Sequence, residues 1–218
     1  MRIEIWSDIA CPWCYIGRRR FEKALAQFEH RDAVEVVWRS FQLDPNAPKA
    51  SSGSAIDSLA ESKGISREQS QQMHDHVTQL AAQEGLAYHF DRVRPANSFD
   101  AHRLLHFALE RGKQGEMKER IQKAYFTDGL TISDVDTLVQ LAAEVGLDAD
   151  ETRRVLEDPS AYADKVKADI RKAQMYGING VPFFVLDERY GVSGAQPSEV
   201  FVQALERAWA DREPVEEK

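Results

Sequence analysis

Arg2-Ile3-Glu4-Ile5-Trp6-Ser7-Asp8-Ile9-Ala10-Cys11-Pro12-Trp13-Cys14 is the stretch on which the fold turns: a short apolar strand pattern runs straight into two cysteines separated by two residues. Helical spacing follows, with Phe21, Leu25 and Phe28 recurring on one face after Cys14. A vicinal dithiol at a strand-to-helix turn is suited to thiol exchange, because one helical turn brings both sulfurs within disulfide distance. At the helix start the first sulfur faces unpaired backbone N–H groups and the positive end of the macrodipole, which favour thiolate over thiol. Cys11 is therefore expected to be the ionised, accessible nucleophile. Cys14, one turn inside, is expected to resolve the mixed disulfide. Pro12 suits the first helical position, where a missing N–H costs little.

Other uses of the pair fit less well. A tetrahedral zinc site needs four ligands and the chain has no second cysteine pair. A structural disulfide across so small a loop constrains the unfolded chain little.

The 218 residues are enough to bury a substantial core, in one large domain or two modest ones. A hydrophobic fraction of 43% and a charged fraction of 29% are those of an ordinary globular chain. Net charge of −8 argues against nucleic acid or an anionic membrane as partner, since both are bound through clustered Lys and Arg. No secretory signal pattern opens the chain and no run approaches a bilayer span, so a cytoplasmic location is expected. There a disulfide is transient and catalytic rather than structural.

The first helix is expected to end near Glu29-His30, and Val34 to Trp38 with Phe41 reads as a second strand. Strand, helix and strand open a βαβ unit with Cys11 at the carboxyl end of its first strand. From Asp44-Pro45 onward nearly every signal is helical. Ser66 with Gln69 forms a capping box for a helix closing at Gly85, and Ser98 opens another closing at Gly112. Further helices are expected over Glu116–Phe126, Ser133–Val145, Asp150–Glu157 and Ser160–Tyr176. Asn179 to Leu186 reads as an apolar strand whose proline is tolerable only at its beginning. Tyr190 to Ser193 follows as hairpin partner, and a last helix runs from Pro197 through Trp209. The expected division is a discontinuous sheet-bearing domain over 1–44 and 177–212, a helical insertion over 45–176, and a frayed tail over 213–218.

Together, Cys11-Pro12-Trp13-Cys14 and Gly180-Val181-Pro182-Phe183 resemble the thioredoxin-fold oxidoreductases of the DsbA-like family. Ser7 to Gly17, Asn97 to Leu104 and Val192 to Gln196 resemble, more narrowly, its FrnE-like subgroup. The resemblance covers essentially the whole chain. It implies an α/β thioredoxin-like fold with a large all-helical insertion between its two halves. It also implies thiol–disulfide oxidoreductase activity through Cys11 and Cys14 on a disulfide- or thiol-containing protein or small molecule. Pro12, Trp13, Val181 and Pro182 would contact substrate, and the Val181–Pro182 bond would be cis, leaving Val181 free to pair with an extended substrate segment. No metal or cofactor is implied beyond the cysteine pair, with glutathione a candidate co-substrate.

A second reading comes from Gly194-Ala195-Gln196 and the insertion, which also look like the kappa-class glutathione transferases and hydroxychromene-carboxylate isomerases. Those generally carry Ser where this chain has Cys11.

Several residues keep two readings. Asp8 is a candidate proton relay, or satisfies turn N–H groups. Glu4 could be a buried carboxylate near Cys14, or exposed by strand alternation. Arg18 could add positive potential, although Arg18 to Arg20 read more simply as a solvated face. His102 and His106 share a helix face, but Arg103 stands where a zinc hydrolase needs Glu. They are expected to line the groove or core beside the sheet.

Overall fold

The computed structural model describes residues 1–49 and 53–212. The expected tail at 213–218 lies outside the described residues. Four strands form one sheet in the order β2-β1-β3-β4, with β1 (Arg2–Ser7), β2 (Glu35–Ser40), β3 (Phe183–Leu186) and β4 (Tyr190–Ser193). β1 and β2 are parallel, Ile5 opposite Trp38. Helix α1 (Pro12–Gln27) makes the crossover between them, as the βαβ reading requires. The β3–β4 hairpin adds antiparallel on the other side of β1, Ile5 opposite Phe184.

Between β2 and β3 the described chain is helical: α2 (Ala55–Lys63), α3 (Arg67–Gln83), α4 (Phe99–Leu109), α5 (Gln114–Lys123), α6 (Val135–Glu144), α7 (Ala149–Glu157) and α8 (Ala163–Met175). A π-helical turn, Ala124–Asp128, continues α5. α9 (Ser198–Ala210) closes the fold. The Ser66 capping box has both of its reciprocal hydrogen bonds. α2 has no counterpart in the sequence reading. Its cap is Ser54, whose hydroxyl accepts from the Asp57 N–H at 3.1 Å.

Each face of the sheet is covered by what its alternation dictates. Ile3 and Ile5 join Phe21 of α1 and Phe201 and Leu205 of α9 in one core. Burying each such side chain is worth about 1.5–3 kcal/mol. Trp6 points to the opposite face and packs with Ala173, Ile178 and Val185. A third core fills the helical region, and Ile9, Tyr15 and Ile16 belong to it. The dithiol thus stands where the start of α1 passes from the sheet core to the helical core.

β3 begins at Phe183, four residues later than the apolar run suggests. The preceding residues are loop, and the Val181–Pro182 peptide within it is cis. At the outer border of the sheet, the Trp38 N–H donates to Gln114 Oε1 at 3.0 Å and Gln114 Nε2 donates to the Trp38 carbonyl at 2.9 Å. The Ser40 N–H on the same border donates to Asp169 Oδ2 at 2.9 Å.

Candidate active site

Cys11 caps α1 in an extended conformation, with Pro12 following in the first turn. Its N–H reaches the Asp8 carbonyl at 3.5 Å, and the Cys14 N–H donates to the Cys11 carbonyl at 3.1 Å. Tyr88 fixes the turn from the helical region, its hydroxyl donating to the Pro12 carbonyl at 2.7 Å. The cis peptide lies directly across: the Cys11 thiol donates to the Val181 carbonyl at 3.6 Å. Cys11, Pro12, Val181 and Pro182, distant in sequence, are brought together. Trp13 is 39% exposed at the rim.

Both thiols are free and buried. Cys11 is only 2% exposed, which corrects the expectation of an accessible sulfur at the helix start. The charge distribution differs too. Cys11 is pushed well up, because the neighbouring Cys14 sulfur takes the first negative charge of the pair and because Cys11 is buried. Cys14 is drawn down: burial opposes ionisation, but the Cys11 S–H, the Lys118 ammonium, the Ser7 hydroxyl and the Asp8 backbone outweigh it. The two sulfurs therefore titrate as a pair, the first proton leaving below the ordinary thiol range and the second well above it. The helix start does favour the Cys11 thiolate through the Cys14 backbone N–H, but the Cys14 sulfur and burial outweigh it.

Asp8 is buried, with Oδ1 3.2 Å from His102 Nε2 and Oδ2 accepting from the Leu43 N–H at 2.8 Å. Burial raises its pKa, but the hydrogen bond and charge of His102 and the Leu43 N–H bring it below the usual value. It is held as an anion, and its charge adds to the rise at Cys11.

Glu4 is buried, but away from the dithiol. It lies on the α8 face, where Lys172 Nζ donates to it at 2.6 Å and Arg39 Nε at 2.7 Å. Arg18 is buried rather than solvated, donating to Glu22 at 2.6 Å and to the Gly115 carbonyl at 3.1 Å. Arg19 and Arg20 are held in ion pairs with Glu119 and Glu84. The two histidines are core residues: His102 faces Asp8, and His106 Nε2 lies 3.1 Å from Asp169. Among the described residues no group of three His, Cys, Asp or Glu is placed to hold a metal.

The residue that sequence reasoning missed is Lys118 of α5. It is fully buried, with Nζ 5.0 Å from the centre of the Trp38 ring and no hydrogen-bond partner. Its place in a helix of mixed charge gave no signal.

The fold and this site define a thioredoxin-fold protein with a dithiol facing a cis-proline loop. Comparison with known proteins agrees, because the model of the DSBA-like thioredoxin domain matches residues 2–206. The chain belongs to that family. A crystal structure of a "probable DsbA oxidoreductase" from Streptomyces coelicolor is 52% identical, with a TM-score of 0.94, covering 100% of this chain and 94% of that one. The cytosolic disulfide reductase DsbM from Pseudomonas aeruginosa, in a structure with GSH, shares the fold at a TM-score of 0.67 and 18% identity, covering 96% of this chain and 100% of that one. Uncharacterized protein YwbO of Bacillus subtilis (strain 168) is 30% identical over 207 residues, 94% of this chain and 96% of its own.

Proposed function

We propose that this protein is a cytoplasmic thiol–disulfide oxidoreductase working through Cys11 and Cys14. The observation that carries the reading is the placement of the Cys11 sulfur at a helix start, 3.6 Å from the carbonyl of the Val181–Pro182 cis peptide. An extended substrate segment pairing with the Val181 backbone would bring its disulfide to that sulfur.

In the reducing direction, the first ionisation leaves one negative charge on the pair. Transfer of the Cys11 proton from the Val181 carbonyl to the neighbouring Cys14 sulfur places that charge on Cys11. Cys11 then attacks one sulfur of the substrate disulfide, forming a mixed disulfide and expelling the other sulfur as a thiolate. Loss of a proton from Cys14 lets it attack Cys11, releasing the second substrate thiolate and leaving Cys11–Cys14 oxidised. One dithiol, or two molecules of glutathione, returns two electrons to the pair and leaves as its own disulfide. The oxidising direction is the reverse. Asp8, ionised and locked to His102, acts in this scheme as fixed negative charge rather than as a carrier of protons.

Two relatives support the reading: the S. coelicolor protein is described as a "probable DsbA oxidoreductase" and DsbM as a cytosolic disulfide reductase. The test is reduction of insulin disulfides with Cys11→Ser and Cys14→Ser variants. Cys11→Ser is expected to lose turnover, and Cys14→Ser to accumulate a mixed disulfide seen by intact mass. Equal turnover by wild type and Cys11→Ser overturns the assignment. Activity on aromatic electrophiles that survives alkylation of both thiols would favour the glutathione-dependent isomerase or transferase reading instead.

A further inference from the structure

We infer that Lys118, carried to the dithiol by α5, is the counter-ion of the Cys14 sulfur, so that the helical region sets how readily the pair is reduced. The inference rests on the oxidoreductase reading for its consequence, but its physical content can be measured without turnover.

An amine with no solvent exposure and no hydrogen-bond partner is unfavourable as an ammonium unless a negative charge lies near it. α5 packs on the face of α1 that carries Cys14 and Arg18: Tyr15 donates to Glu119 at 2.5 Å, Arg18 donates to the Gly115 carbonyl at 3.1 Å, and Arg18 and Lys118 lie over the same Trp38 ring at 5.4 and 5.0 Å from its centre. Cys14 stands one helical turn before Arg18 on that face, and the charges that act most on Lys118 are those of Cys14, Arg18, Asp8 and Cys11. Arg18 repels it, and Asp8 is already engaged by His102 and Leu43. The Cys14 thiolate is the partner left to balance it.

The effect runs both ways, as linkage requires. Burial drives the Lys118 amine down to about 8, and the Cys14 charge works against that fall. In return the Lys118 ammonium helps draw Cys14 down. The disulfide has no charge to offer, so oxidation releases the amine proton more readily. With the amine neutral in the oxidised protein, the balanced step is disulfide plus amine plus two electrons and two protons, giving one thiol, one thiolate and one ammonium. The electrons come from the dithiol or glutathione of the proposed cycle.

Two measurements test this. In a Cys11→Ser background, which isolates Cys14, thiolate absorbance is followed against pH with Lys118 intact, as Lys118→Met and as Lys118→Arg. Lys118→Met is expected to lower the thiolate-to-thiol ratio of Cys14 at fixed pH about tenfold, one pKa unit. Lys118→Arg is expected to retain most of the ratio. Unchanged titration in Lys118→Met overturns the inference, and because no substrate is involved, that failure is distinct from failure of the oxidoreductase reading. The second measurement needs no substitution: NMR titration of labelled lysine in the full chain, reduced and oxidised. The Lys118 amine is expected to titrate lower in the oxidised protein, and identical titration in both forms overturns the inference.

Discussion

Gly17 of α1 faces Pro182 so closely that a Cβ at position 17 would lie 2.9 Å from Pro182 Cγ and 3.3 Å from Ala195 Cβ. The helix that carries the dithiol and the cis-proline loop opposite it are in contact through a position with no side chain. The proline ring is stiff, so an added methyl is accommodated by moving the helix or the loop.

Gly17→Ala is expected to destabilise the protein by about 1–3 kcal/mol, the usual cost of overpacking. That outcome opposes helix propensity, which favours alanine over glycine by about 1 kcal/mol. Denaturant unfolding decides the sign. Turnover of the folded variant should fall as well, since the methyl parts the two halves of the site.

Thiolate absorbance of the reduced protein is expected to appear in two steps. The first lies below the ordinary thiol value of 9.0, and the second well above it. Alkylation at neutral pH should remain slow for so accessible-looking a motif, because Cys11 is 2% exposed. A single step for two thiols near 9.0 would contradict the coupling.

Asp8→Asn tests the buried carboxylate. Because folded Asp8 titrates below its free value of 3.8, the unfolded chain binds that proton more readily. The stabilisation is therefore complete above pH 3.8 and is lost as pH falls through the lower folded value. The variant should be less stable than wild type at pH 7 by about 1–3 kcal/mol, the cost of disturbing a buried hydrogen-bonded group. The gap should narrow as wild type is acidified below pH 3.8, as read by denaturant unfolding at pH 7 and in that acidic range.

Arg103 is a structural fork. Nε donates to the Ala161 carbonyl at 2.7 Å, and Nη1 to Asp100 at 2.8 Å and the Leu156 carbonyl at 3.3 Å. Nη2 donates to the Val155 carbonyl at 2.6 Å and to the Asp158 carbonyl. It thereby satisfies carbonyls at the end of α7 that have no partner within the helix. Arg103→Met is expected to cost about 3–5 kcal/mol, because removing one member of a buried charged network leaves the others unpaired. Arg103→Lys should recover little, since an ammonium cannot serve carbonyls spread across a planar fork.

The order of strand, dithiol and crossover helix was legible because it is local: alternation in Ile3 to Trp6, the Cys11–Cys14 spacing and the helical repeat of Phe21 and Phe28 lie within one short stretch. The tie between Cys11 and Val181 was readable only through resemblance, as nothing in either stretch announces the other. The helix starts near Ser133 and Asp150 were read within two residues, and Asp134 and Asp148 prove to be the caps. Arg18 was misjudged because a run of arginines looks solvated until Glu22 and the Gly115 carbonyl are seen to receive it. Lys118 was illegible for the same reason at longer range. Lys118 falls on the buried stripe of α5 with Gln114, Met117, Ile121 and Gln122, but only Met117 and Ile121 mark that stripe as apolar, so the repeat is hard to see before α5 is packed beside α1 and β2.

The amide of Gln114 meets Trp38 much as one residue of an additional strand would, and Asp169 occupies the neighbouring Ser40 amide. Another polypeptide seeking to zip onto that margin finds its docking points already spoken for, one by a side chain imitating backbone and one by a carboxylate that accepts but offers no N–H in return. The molecule thus carries a built-in guard against edgewise polymerisation on the side of β2, supplied by helices that lie far from it in the chain.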